Sequence, residues 1–303
     1  MKKDLLSILD LSRDDILNLF DKAEEIRNLW TENKTYHPLE GKSLGMLFQK
    51  PSTRTRLSFE VGMYQLGGHP VFLSPESMQL KRGETIEDTA KVLSRYVDGI
   101  MIRTFKQNEV VKLAKAASIP IINGLTDLFH PCQALSDYYT LWRKKKDLNK
   151  ITLCYVGDGN NVCHSLILGA VKLGVNIVVS NPEGYEPNKE IIKKAKEINE
   201  EKISFINDPL KAVKEADVIY TDVWTSMGEE REEQVRKRVF LPYQVNLNLL
   251  KRAKKDVLVM HCLPAHRGEE IVDEVMDGEN SIVFDQAENR LHLQKAILVK
   301  LLS

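Results

Sequence analysis

The chain has 303 residues, enough for two domains with separate cores, and its 43% apolar and 28% charged residues form an ordinary soluble composition. Lys+Arg and Asp+Glu both number 43, so no net field points to nucleic acid or a membrane, and any basic site must be local. The start, MKKDLLSILDLSRDD, is soon broken by acids, no apolar run approaches ~20 residues, and Cys132, Cys154, Cys163 and Cys262 lack metal-type spacing, so the expectation is a cytoplasmic protein with reduced thiols and a small-molecule partner.

Residues 12 to 30 read as an amphipathic helix capped by Ser12, with Ile16, Leu19, Phe20, Ala23, Ile26 and Leu29 on one stripe. An apolar strand, Leu44 to Phe48, then meets Pro51 and Ser52-Thr53-Arg54-Thr55-Arg56. Ser52 is a good N-cap, and Leu57, Val61 and Tyr64 recur behind it at helical spacing. A helix N-terminus offers unpaired amides and a positive dipole; two hydroxyl residues and two guanidiniums beside it suit a phosphate-like anion.

Gly67-Gly68 ends this helix, HPVFLS reads as a strand, and SPESMQLKRGET is a polar loop before a helix carrying Ile86, Ala90, Leu93 and Val97. DGIMIRTF, a helix over 107 to 117, IPIINGL and a long helix from His130 to Arg143 continue the alternation, and KKKDLNK reads as a boundary. A second set follows: ITLCYVG and a helix from Asn160, NIVVSN and a helix after Pro187, then ISFIND and KAVKEA. It runs on through DVIYTDVW, VLVMHCLP, a helix near 268 to 276, SIVFD, and a last helix from Glu288 to Leu302. Parallel strands need helical crossovers, so the expected fold is α/β, with two domains, each a mostly parallel sheet flanked by helices.

Ligands in open α/β sheets sit beyond the carboxyl ends of the strands, and the unusual polar residues gather there. Arg103 closes DGIMIRTF, His130 to Gln133 follow IPIINGL, Asp158 to Asn161 follow ITLCYVG, Asp222 to Gly228 follow DVIYT, and His261 to His266 follow VLVM. VGDGNN lacks the third glycine of a dinucleotide fingerprint, and no acid closes NIVVSN to hold a ribose, which disfavours a nucleotide. Asn160 and Asn161 instead suit a small zwitterion.

In this order, Ser52-Thr53-Arg54-Thr55-Arg56, His130-Pro131-Cys132-Gln133, Asp222-Val223-Trp224-Thr225-Ser226-Met227-Gly228 and His261-Cys262-Leu263-Pro264 resemble the transcarbamylase family, most closely its ornithine branch, over essentially the whole chain. The resemblance implies carbamoyl transfer from carbamoyl phosphate to L-ornithine, giving citrulline in arginine metabolism, without cofactor or metal. It implies a carbamoyl-phosphate domain over 1–143, an ornithine domain over 144–287, a helix over 288–303 packing back on the first, and an active-site cleft between the domains. Ser52, Thr53, Arg54, Thr55, Arg103, His130, Gln133 and Arg290 would hold carbamoyl phosphate, with Gln79 reaching it from the next subunit of a homotrimer that shares active sites. Asn161, Asp222, Ser226 and Met227 would grip ornithine, and Cys262 with Leu263 would line the reacting centre. Arg54, Arg103, His130 and Cys262 carry the expected catalysis.

Carbamoyl phosphate needs cations on its leaving group and donors on a carbonyl oxygen that becomes an oxyanion. Arg54 and Arg103 suit the first task, with Arg290 joining as the domains close, and His130, Gln133 and Thr55 suit the second. Aspartate, putrescine or an N-acylated ornithine as acceptor, or an inactive binding protein on the same fold, are the alternatives. Asp222 matches a free α-ammonium, which putrescine and acylated ornithine lack.

Overall fold

The computed structural model describes residues 3–74, 83–226, 228 and 230–303. The chain divides into two compact units, residues 1–139 with 288–303, and residues 140–287. None of the four cysteines is paired with another, and no described helix is long and apolar enough to cross a membrane.

The first unit opens with α1 (Arg13–Thr31), whose Ser12 cap accepts from the Asp15 amide. Its sheet contains β1 (Ser43–Phe48), β2 (His69–Leu73), β3 (Gly99–Arg103) and β4 (Ile121–Leu125) in the order β2-β1-β3-β4, all parallel. Helices α2 (Thr53–Gln65), α3 (Ile86–Leu93), α4 (Gln107–Ala116) and α5 (Pro131–Lys145) alternate with the strands. Every residue of β3 and β4 is buried, as befits strands covered on both faces. Leu47, Ile100, Ile102, Val110, Leu113 and Ile121 form one core cluster of this unit.

The second unit has β5 (Thr152–Val156), β6 (Asn176–Ser180), β7 (Ile203–Phe205), β8 (Val218–Thr221) and β9 (Leu258–His261), again all parallel, in the order β7-β6-β5-β8-β9. Its helices are α6 (Asn161–Leu173), α7 (Lys189–Asn199), and the shorter α8 (Pro209–Ala212), α9 (Glu233–Phe240), α10 (Leu247–Leu250) and α11 (Asp273–Met276). Cys154, Val156, Ile219, Val259 and Val283 meet in its core. The last helix, α12 (Val283–Leu302), carries its second part into the first unit.

Three expectations change. SIVFD is not a strand: the helix begins at Val283, and burial falls at Val283, Gln286, Asn289, Arg290 and Leu293, a helical period rather than an alternation. The region near 268 to 276 is helical only over Asp273–Met276. On α2 the apolar stripe is outside: Leu57, Val61 and Tyr64 are 52%, 37% and 78% exposed. The inward face is Thr55, Ser58, Phe59, Gly62 and Met63, because small residues let α12 approach closely. A Cβ on Gly62 would meet Lys295 Cγ at 3.4 Å, and Gln294 Nε2 donates to Ser58 Oγ at 2.7 Å.

Candidate functional site

In the first unit the polar residues gather where the sequence pattern places them, beyond β1, β3 and β4. Ser52 caps α2 by accepting from the Thr55 amide at 3.2 Å. Arg103 ends β3, and His130 immediately precedes α5. Thr55, Arg103, His130, Gln133 and Arg290 are all buried, Ser52 and Arg54 half-buried, and Thr53 exposed.

Arg290 on α12 ties this group together. Its Nη2 donates to Thr55 Oγ1 at 3.3 Å, its Nη1 to Gln133 Oε1, and its Nε to Gln294 Oε1 at 2.8 Å. Gln133 passes the network on by donating to Asp137 Oδ1 at 2.8 Å. Arg290 thus lies in the first unit, to which the last helix returns it. The amide of Gln133 has its oxygen on a guanidinium and its nitrogen on a carboxylate, which fixes its orientation.

Burial, and after it the guanidiniums of Arg290, Arg103 and Arg54, hold the His130 imidazole well below its ordinary value. It is therefore neutral at physiological pH, a hydrogen-bond donor rather than an acid. The second guanidinium of the motif is elsewhere: Arg56 lies over the Phe72 ring at 3.9 Å and pairs with Glu60 at 3.2 Å. Arg54 and Arg56 are two apart on a helix and cannot share a face. Gln79 lies outside the described residues.

In the second unit Asn160, rather than Asn161, is the cap of α6, its Oδ1 accepting from the Val162 and Cys163 amides at 2.9 and 3.1 Å. Its Nδ2 donates to Asp222 Oδ2 at 2.8 Å. The other carboxylate oxygen, Asp222 Oδ1, accepts from Cys262 Sγ at 3.0 Å and the Val223 amide at 2.8 Å. Three donors from three strand ends thus aim one buried carboxylate, with Asn161 next in chain to its Asn160 partner. Ser226 is half-buried a few residues beyond Asp222; Met227 lies outside the described residues.

The turn carrying Cys262 and Leu263 is set by a buried pair the sequence reading did not single out. His261 Nδ1 accepts from the Leu263 amide at 2.9 Å, so Nε2 bears the proton and donates to Glu270 Oε1 at 2.9 Å, with both side chains 0% exposed. Glu270 also accepts from the His266 amide at 2.6 Å. Leu263 has φ of 60° and precedes a cis peptide to Pro264. Another missed residue is Arg236 on α9, whose Nη1 reaches Asp158 Oδ2 at 3.1 Å and Trp224 O at 2.8 Å, joining the turns after β5 and β8.

Two parallel α/β units, one with cations and neutral donors at its strand ends and one with an oriented carboxylate, define a group transferase that activates an anionic donor toward a polar acceptor. Residues 3–143 match the family described as aspartate/ornithine carbamoyltransferase, carbamoyl-P binding domain, and residues 149–301 match its Asp/Orn binding domain. The chain belongs to the aspartate/ornithine carbamoyltransferase family. The ornithine carbamoyltransferase of Thermococcus kodakarensis is 55% identical over 300 residues, covering 98% of this chain and 95% of the relative. The anabolic ornithine carbamoyltransferase of Pyrococcus furiosus is 54% identical over 300 residues, with 98% and 95% covered. Solved ornithine carbamoyltransferases from Pyrococcus furiosus (TM-score 0.96, 53% identity, 99% and 96% covered) and Thermus thermophilus (TM-score 0.91, 41% identity, 100% of both) share the fold.

Proposed function

We propose that this protein transfers the carbamoyl group of carbamoyl phosphate to the side-chain amine of L-ornithine, giving L-citrulline and phosphate in arginine biosynthesis. The observation that carries the acceptor is the Asp222 carboxylate, buried and held by Asn160, Cys262 and Val223 so that it can pair with an α-ammonium. Relatives named as ornithine carbamoyltransferases support the same reading.

The neutral amine nitrogen forms a bond to the carbonyl carbon, the bond from that carbon to the phosphate oxygen breaks, phosphate leaves with the electron pair, and the proton that the nitrogen gives up goes to the departing phosphate. The α2 amides behind Ser52 and Thr53, with Arg54 and Arg103, stabilise the departing phosphate. His130, Thr55 and Gln133, oriented by Arg290, face the carbonyl oxygen as it gains charge. A side-chain amine with a lysine-like pKa of ~10.4 is neutral in only about one molecule in a thousand at pH 7, so deprotonation must be assisted. Asp222 takes the α-ammonium, Asn161, Ser226 and Met227 complete the amino-acid grip, and Cys262 with Leu263 orients the amine.

The active form is a cytoplasmic homotrimer that shares sites through Gln79. The exposed stripe of Leu57, Val61 and Tyr64 on α2, beginning one turn from Arg54, supports burial against a second copy of the chain. The deciding experiment is a citrulline assay with carbamoyl phosphate and a panel of amines, and turnover of putrescine but not ornithine overturns the acceptor assignment. Light scattering on the active enzyme tests the assembly, and a fully active monomer rules it out.

A further inference from the structure

Resting on the proposed function, we propose that Gln286 is a positioning residue for the acceptor site: from the first turn of α12 it fixes two chains of contacts that meet at Asp222, without touching either substrate. Gln286 is 1% exposed. Its Oε1 accepts from the His261 amide at 2.9 Å, and its Nε2 donates to Tyr220 Oη at 3.2 Å. β9 is the last strand of its sheet, and its outer edge runs beside the segment that leads into α12: the Val259 amide donates to Asn280 O at 2.8 Å, and the Ile282 amide donates to Val259 O at 3.0 Å. The next donor along that edge is the His261 amide, but Ile282 O, the carbonyl in register with it, takes the Gln286 amide at 2.9 Å as the helix begins. The Gln286 side chain therefore replaces a strand partner at the residue before Cys262. Because a backbone N–H can only donate, it also settles which end of the Gln286 amide faces it.

Two routes lead from this glutamine to one carboxylate. The shorter runs along the backbone: the His261 amide is held, Cys262 follows it, and Cys262 Sγ lies 3.0 Å from Asp222 Oδ1. The longer crosses the sheet. Tyr220, two residues before Asp222, offers its hydroxyl to Gln286 and stacks on Tyr155, with ring centroids 5.9 Å apart and planes at 26°. Tyr155 Oη donates to Asn160 Oδ1 at 3.4 Å, and Asn160 Nδ2 donates to Asp222 Oδ2 at 2.8 Å. Each oxygen of Asp222 thus ends one route, and both tyrosines are fully buried. Removing the Gln286 amide takes the acceptor from a buried N–H, which is costly enough for the turn to shift. The shift moves Cys262 off Asp222, and a carboxylate displaced by even ~1 Å loses much of its grip on an α-ammonium.

The test uses the full-length protein in its native assembly, with Gln286→Met, Gln286→Glu and Tyr220→Phe. Gln286→Met keeps the length of the side chain but accepts nothing from His261. It is expected to raise ornithine KM roughly 10-fold, while KM for carbamoyl phosphate and Kd for inorganic phosphate move less than about twofold. Gln286→Glu keeps an acceptor for the His261 amide, and the Tyr220 hydroxyl can turn to donate to it, so most of the ornithine affinity is expected to return. Tyr220→Phe cuts the longer route alone and is expected to raise ornithine KM about threefold. A second readout needs no turnover: Cys132, Cys154 and Cys163 are buried and Cys262 is partly exposed, so iodoacetamide should alkylate Cys262 first. Gln286→Met should speed that alkylation roughly fivefold. A folded Gln286→Met with native ornithine KM and alkylation rate, or with KM for both substrates raised alike, overturns the proposal. So does Gln286→Glu no better than Gln286→Met, or Tyr220→Phe with unchanged ornithine KM. Wild-type protein that makes no citrulline would instead count against the functional reading and leave the alkylation comparison intact.

Discussion

Cys262 Sγ lies 3.0 Å from Asp222 Oδ1, so the residue expected at the reacting centre is a direct partner of the residue expected to select the acceptor. The thiol donates and the carboxylate accepts, which orients both. Replacing Cys262 with Ser keeps a donor but shortens its reach, and replacing it with Ala removes the donor. We expect Cys262→Ala to reduce kcat/KM for ornithine by roughly 10²-fold and Cys262→Ser by less, because a buried carboxylate losing one of three donors is reoriented, at a cost of about 1 to 3 kcal/mol. Steady-state kinetics with both variants checks the order; an equal loss in the two would mean that the contact with Asp222 is not what matters.

Arg54 follows the Ser52 cap on the first turn of α2, where its charge adds to the helix dipole. Its interaction strengthens as the phosphate leaves, so Arg54→Ala is expected to lower kcat by ~10²-fold or more. Single-turnover rates at saturating substrates measure this directly. Near-native kcat with only a raised KM would move Arg54 from the transition state to simple binding.

Much of the fold was legible because parallel strands buried on both faces leave continuous apolar runs, and helical crossovers must separate them. The polar residues at the strand ends were legible for the same reason: the chemistry has to stand at one edge of each sheet. Side-chain partnerships were not. The paired Lys50 and Asp127 are 77 residues apart, and Glu270 is distinguished from Glu269 only by which of them the fold buries against His261. Arg290 illustrates a subtler limit. Its place on the last helix was readable, but its attachment to Thr55 and Gln133 depended on α12 packing over Gly62 and Ser58.

His130 gives a prediction about pH. Its folded pKa is depressed, so between that value and an unfolded value near 6.5 the unfolded chain binds more protons. Stability is therefore fully present above about pH 6.5 and falls as the pH drops below it. His292, brought down to about 4 chiefly by burial, acts with the same sign. Urea midpoints measured from pH 7.5 down to pH 5 should decline, and His130→Gln should flatten the decline. In ¹⁵N-histidine spectra the His130 ring should remain neutral through pH 6; a ring titrating near 6.5 would contradict the neutral-donor role.

Asn160 has two tasks, capping α6 and holding Asp222 Oδ2, and they can be separated. Asn160→Asp keeps an acceptor for the Val162 and Cys163 amides but sets a second carboxylate against Asp222. Asn160→Ala removes both functions and should also lose about 1 kcal/mol of stability through the missing cap. Both variants should raise KM for ornithine and lower the melting temperature, Ala through the lost cap and Asp through the repulsion between two neighbouring carboxylates. If Asn160→Asp keeps native ornithine affinity, the contact with Asp222 is unimportant to the acceptor.

Acceptor choice follows from the same carboxylate. Asp222 is buried, and its two oxygens are already aligned by Asn160, Cys262 and Val223, so an α-ammonium meets a charge whose position needs no further ordering. Putrescine has no α-ammonium and N-acetylornithine has lost that charge, so either leaves the buried carboxylate without its counter-ion, at a cost on the order of 1 to 3 kcal/mol or more. Ornithine should exceed both in kcat/KM by at least roughly 10²-fold. Asp222→Asn keeps the shape and removes the charge, so it should lower ornithine toward the other two while leaving carbamoyl phosphate KM within about twofold. The comparison is kcat/KM for the three amines with wild type and Asp222→Asn at one pH. Comparable wild-type values for ornithine and putrescine would show that the carboxylate does not select the α-ammonium. A variant that loses all three amines equally would place Asp222 in the transfer step itself.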